Sequence, residues 1–168
     1  MKNLLFILIL ITFSCNQDQK TKTKEYTEKI EYIYEASYLD NVNIGNNELV
    51  LKIQQMHQYL INKDFQMAST FFSDDIIFIL EDGYILEGKA TVMKHMTDNF
   101  SLIKIQDYEV DINFSVTGDN GDEWVLLWDN AKIVLPDGNS AEYDWMEAFQ
   151  FVNNKITKIN QFSRPIIK

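Results

Sequence analysis

The chain has 168 residues but only one cysteine, two prolines, six glycines, two histidines and a single arginine. One thiol cannot form an internal disulfide or a cysteine-rich zinc site. His57 and His95 do not stand at metal-ligand spacing, so no metal is expected. Phosphate loops, dinucleotide fingerprints and Ser-His-Asp motifs are missing, and no cofactor is expected. Fifteen basic residues against 25 acidic ones give a net charge of -10. That balance excludes nucleic-acid binders, which need a basic footprint to neutralise phosphates. Internal repeats are absent too.

What is there begins with an address. Met1-Lys2-Asn3 precedes the apolar run LLFILILI, and Thr12-Phe13-Ser14-Cys15 follows. A short basic start, a short apolar stretch and a small residue before a cut read as a secretory signal over 1–14. About ten apolar residues make roughly 15 Å of helix, too short for a bilayer core of about 30 Å. The only thiol sits at the end of this run, which resembles a bacterial lipoprotein signal. The expected product is a protein lipidated at Cys15, palmitate included, in the envelope of a Gram-negative bacterium. Its membrane contact runs through the lipid anchor. Residues 16–24, NQDQKTKTK, contain nothing apolar; with Cys15 they form a flexible tether, 15–24. Tyr26, Ile30, Tyr32, Tyr34 and Tyr38 lean towards alternation, so 25–46 reads as an extended arm.

From 47 to 168 the pattern is that of one domain; 46% apolar and 13% aromatic residues suffice for its core. Asn47 offers an N-cap, and Leu49, Ile53, Met56 and Leu60 recur at helical spacing. Residues 65–72 read as a shorter helix, 75–80 as a buried strand after an Asp74-Asp75 turn, 84–86 as its return. Residues 88–100 form a third helix. Then four strands, 103–117, 123–135, 141–152 and 155–162, alternate with strong turn signals. The expected fold class is α+β: a curved antiparallel meander with three helices on one face, a cone-shaped roll.

Asn62-Lys63-Asp64-Phe65, Phe71-Phe72-Ser73-Asp74-Asp75, Asp82-Gly83 with Glu87-Gly88-Lys89-Ala90, and Phe149-Gln150-Phe151 before Lys155-Ile156 resemble the nuclear transport factor 2-like superfamily. Its relatives include SnoaL-like polyketide cyclases and ketosteroid isomerases. The resemblance covers about 48–162. Residues 37–45 and Gly121-Asp122-Glu123-Trp124-Val125 with Trp128 resemble its lipid-anchored or secreted bacterial members. It implies a cone with a pocket open at one end. By that resemblance the isomerase base would fall on Leu80 and the oxyanion-hole tyrosine on Met56, both apolar here. The third position, an acid, falls on Glu147. Isomerase chemistry of that type is therefore not expected.

Period-two reading puts Trp124 and Trp128 on one strand face, and Tyr143, Trp145, Glu147 and Phe149 on a face of the next. With Met56 and Leu80 they form the expected ligand pocket, aromatic with one acid. Glu147, Asp82 and Tyr84 are the catalytic candidates. His57 and His95 read as surface or capping residues, and Arg164 as a salt-bridge partner. Three functions follow from this reading. The domain binds a small, largely apolar molecule; or it pairs, as a homodimer or on a partner, through its open sheet face; or it is a lyase, isomerase or hydrolase. The last requires at least two polar groups converging in one pocket.

Overall fold

The structure, a computed structural model, describes residues 42–167. The signal, Cys15, the tether and the arm as far as residue 41 lie outside the described residues. No helix among the described residues is long and apolar enough to cross a membrane.

The chain runs β1 (Val42–Ile44), α1 (Asn47–Ile61), α2 (Phe65–Ser69), β2 (Phe72–Ile79), β3 (Ile85–Glu87), α3 (Lys89–Leu102), β4 (Lys104–Gly118), β5 (Glu123–Val134), β6 (Ser140–Val152) and β7 (Lys155–Pro165). Helix α1 starts where the Asn46 side chain accepts from the Glu48 backbone N–H at 2.9 Å, one residue before the expected cap. Its stripe of Leu49, Ile53, Met56 and Leu60 is buried. Each such side chain contributes roughly 1.5–3 kcal/mol by leaving water. Asp64 caps α2 through the Met67 N–H. That helix stops at Ser69 rather than running to 72, because Phe72 is needed in β2, where it is fully buried. Asp74 and Asp75, expected in a turn, are exposed residues of β2. They lie where β2 slips its register against β7, between Phe72 and Ile77.

The seven strands form one sheet in the order β1-β4-β5-β6-β7-β2-β3. The meander β4 to β7 is antiparallel throughout. Two features depart from an all-antiparallel meander. Strand β1, from the end of the arm, extends the sheet beyond β4. Strand β2 pairs with β7 in parallel. The turns are those the sequence signals: Gly121 and Gly138 take positive φ, and Asn153-Asn154 turn through φ 50° and 63°, as a tight two-residue hairpin requires.

Alternation along the strands sets the inner face. Val125, Leu127, Asp129 and Ala131 of β5 are buried, as are Glu147, Phe149 and Phe151 of β6. Val125, Leu127, Phe149 and Phe151 share one core with the α1 stripe and with Ile156 and Ile159 of β7. Strand β4 is less regular. Its pairing with β5 slips between Gln106 and Glu109, and again between Val110 and Ile112. Each slip places an extra residue on β4, a β-bulge that bends the strand and re-aims its side chains. Asp107, inside the first bulge, takes φ 51°.

Candidate active site

Helices α1 and α3 and the inner face of β4 to β7 enclose a cavity of about 740 Å³. Most of its wall is apolar or aromatic, including Met56, Phe100, Tyr143, Trp145 and Phe149. Four polar side chains converge there: His57, Tyr108, Asp129 and Glu147.

Each comes from a different element. His57 follows Met56 on α1, on the flank of the apolar stripe. Tyr108 stands on β4 directly after the strained Asp107, so the bulge turns its ring inward. Asp129 and Glu147 occupy inner positions of β5 and β6, 3% and 7% exposed. His57 Nε2 lies 3.2 Å from Glu147 Oε2, and His57 Nδ1 lies 2.8 Å from the Tyr108 hydroxyl. Tyr108 in turn hydrogen-bonds Asp129, whose Oδ2 is 3.8 Å from His57 Nδ1. Gln161 Nε2 donates to Glu147 Oε1 at 3.0 Å. Edge-on contacts with Tyr108 and Phe149 fix the imidazole plane. Both Glu147 oxygens are therefore partnered. Asp129 Oδ1 is buried and has no hydrogen-bond partner among the described residues.

The electrostatics follow from this enclosure. Burial works against a charged His57. The Glu147 carboxylate, by charge and hydrogen bond, and Asp129 outweigh burial and raise the imidazole above its ordinary value. Burial pushes Asp129 up to about 6, and the charge of Glu147 adds to that; His57 and Tyr108 pull the other way. Burial and the same two carboxylates raise Tyr108, which stays a phenol. A protonated His57 then donates to Glu147 and to the Tyr108 oxygen, and Tyr108 donates to Asp129. A proton on any member can pass along this chain.

His57, Asp129 and Glu147 each offer a ligand atom, all within 4.8 Å of one another. This is a possible three-ligand divalent-metal set, although spacing alone suggested none. Both imidazole nitrogens already face protein partners, however, so a metal would have to break one of those contacts.

The chain matches no protein-family model and no curated protein. Solved structures do match. An LEH-like epoxide hydrolase from M. tuberculosis aligns with a TM-score of 0.58 at 13% identity, over 70% of this chain and 84% of that one. An NTF2-like protein from Burkholderia xenovorans LB400 aligns with a TM-score of 0.55 at 16% identity, over 73% and 93%. The chain has the nuclear transport factor 2-like fold.

In this nuclear transport factor 2-like cone, Met56, Leu80, Tyr143, Trp145, Glu147 and Phe149 line the cavity, and Asp82 lines it at an exposed edge. Tyr84 does not; it is 65% exposed. Trp124 and Trp128 do not line it either. Pairing sets Leu127 opposite Glu147 and Trp128 opposite Met146, so the two tryptophans belong to the outer face, where Trp128 stacks on Phe114. The expected phase put the aromatics inward; the inner phase is the one that carries Val125, Leu127 and Asp129. His57 and His95, expected at the surface, both line the cavity. Arg164 pairs with Asp144 at 2.8 Å. Asp129 and Tyr108 are not among the residues the sequence pattern singles out. For Asp129 a signal existed: one acid inside the alternating run Val125, Leu127, Ala131, Ile133. For Tyr108 there was none, since the two bulges shift the phase of β4.

Asp129 and His57 both bind protons more tightly folded than unfolded. Their contribution to stability is thus fully present at acid pH and lost as pH rises through about 6 and on through the raised His57. For Asp129 the loss is on the order of 1–3 kcal/mol. Urea unfolding at pH 5 and pH 8 should show Asp129→Asn losing less stability between the two than the parent chain; equal losses would refute the assignment.

Proposed function

We propose that the domain is an acid–base enzyme of the hydrolase, lyase or isomerase type, acting on a small, largely apolar molecule held in the cone. One observation carries this reading: Asp129, a buried carboxylate with one oxygen unpartnered, lines a cavity beside a histidine–tyrosine pair. A carboxylate raised to about 6 is close to the ideal strength for a general base at neutral pH. Asp129 takes a proton from the substrate or from a water molecule. In the hydrolytic form, the deprotonated water attacks an electrophilic carbon, and the oxygen that leaves collects a proton from Tyr108. His57 refills Tyr108 through Nδ1, and the proton on Asp129 returns along the chain, so only water is consumed. Glu147, held by Gln161, keeps His57 oriented and charged. The epoxide hydrolase neighbour supports the hydrolytic form. A binding module without turnover is the alternative.

The test is turnover of a panel of small apolar epoxides and enolisable ketones, followed by mass spectrometry. We expect Asp129→Asn to lower kcat/KM by about 10²–10⁴-fold. The rate should climb as Asp129 loses its proton near pH 6 and fall at higher pH as His57 loses its own. Ligand binding with no turnover across the panel would leave a binding module.

We also propose that the chain is lipidated at Cys15 and held in the cell envelope. Support comes from the single thiol, which follows the apolar run after Thr12-Phe13-Ser14. Cys15→Ser should move the protein from the membrane fraction to the soluble one and abolish palmitate incorporation.

A homodimer is proposed through the outer sheet face. Ile112, Trp128, Met146 and Phe162 stand in one registered row across β4 to β7, with Ile112 53% and Phe162 56% exposed. An apolar row of this kind is suited to cover its own copy. Light scattering should give twice the chain mass, and Phe162→Asp should halve it; a monomeric parent chain ends this proposal.

A further inference from the structure

Helix α3 carries a second polar pair into the cavity wall. His95 and Asn99 stand one helical turn apart, and both line the cavity. They hydrogen-bond each other and none of the His57, Tyr108, Asp129 and Glu147 group. Asn99 Nδ2 donates to the His95 backbone oxygen at 2.9 Å, which fixes the end of the amide that is nitrogen. The same nitrogen lies 3.1 Å from His95 Nε2. An amide nitrogen has hydrogens to give and accepts none, so Nε2 is the acceptor. The proton of the neutral ring is then on Nδ1. Phe78 meets that ring edge-on, with centroids 6.2 Å apart, and holds its plane.

Nδ1–H has no partner among the described residues, and it is not one of the polar atoms closed off from solvent. It is an open donor on a half-buried ring, in a wall that also holds Leu80, Met96 and Phe100. Hydrocarbon laid over it strips its water and returns no hydrogen bond. Glu81 and Asp82, which follow Leu80 in the chain, line the same cavity, and no lysine or arginine does so among the described residues. An anion meets like charge there. A neutral oxygen acceptor on an apolar body satisfies the donor and avoids the repulsion.

We infer that His95 determines specificity: the molecule held in the cone carries a neutral oxygen acceptor, a carbonyl or an ether, and His95 Nδ1–H donates to it. Asn99 acts through His95, by setting its tautomer and holding its ring. The inference rests on the reading that the cone holds a small, largely apolar molecule, and it takes nothing from what Asp129 does to that molecule.

The experiment titrates the full-length chain in mild detergent by calorimetry, with three probes of one shape: tetralin, 2-tetralone and tetralin-2-carboxylate. The ketone should bind about three- to tenfold tighter than the hydrocarbon, and the carboxylate should bind weakest. His95→Leu should bring the ketone down to the hydrocarbon's affinity and leave the hydrocarbon where it was. His95→Asn, whose amide nitrogen stands close to the place of Nδ1, should keep part of the ketone's advantage. Equal binding of ketone and hydrocarbon, a preference for the carboxylate, or a ketone advantage that survives His95→Leu overturns the inference. So does a loss of both affinities together in His95→Leu, which marks a structural role. In each of these cases tetralin bound by the parent chain leaves the cone standing as a ligand site. If no probe binds the parent chain, that reading fails and the inference fails with it.

Discussion

Two carboxylates, a phenol and an imidazole cannot be enclosed in an apolar cone unless they satisfy one another, because each unpaired charge would cost several kcal/mol. His57 is the piece that makes the enclosure tolerable. It stands between Glu147 and the Tyr108–Asp129 pair and divides its two nitrogens between them. The rest of the site is arranged around that division. Helix α1 must bring the imidazole over the sheet, β5 and β6 must present their acids in the same phase, and β4 must break its regular pairing so that Tyr108 turns inward. The one polar atom that the arrangement leaves without a partner is Asp129 Oδ1.

Much of the fold was legible because its elements obey simple periods. Leu49, Ile53, Met56 and Leu60 are spaced for one helix face, and the tight turns at Gly121, Gly138 and Asn153-Asn154 have sequences that favour positive φ. The parallel pairing of β2 with β7 was not legible. Nothing local in Ile77 or Phe78 says that their neighbours are Lys158 and Ile159, near the end of the chain, and long-range pairing is decided by the assembled sheet.

The site was legible only in part. Glu147 stood out as an acid among aromatics, and it proved to be buried. His57 lies one residue off the apolar stripe and so reads as a surface residue, although it stands four residues after Ile53 and three before Leu60, on the same flank. Large aromatic side chains drew the inner phase of β5 to Trp124 and Trp128. The smaller Val125, Leu127 and Ala131 fill the inside, since α1 must come close to the sheet there. Size is a poor guide to the inside of a concave sheet. Tyr108 lies beyond any reading by alternation, because β4 changes phase twice between Ile105 and Ser115.

The parallel contact between β2 and β7 has a temporal consequence. Strand β2 finds its β7 neighbour only when Ile156 to Asn160 have been made, close to the end of the chain. Until then, a nascent chain carries α1, α2 and the β2–β3 hairpin with their apolar faces uncovered. Loop closure across such a separation is slow compared with forming helices or hairpins. The cone therefore assembles late, after the meander, and an incomplete chain exposes Phe72, Ile76 and Phe78 to whatever meets it during synthesis.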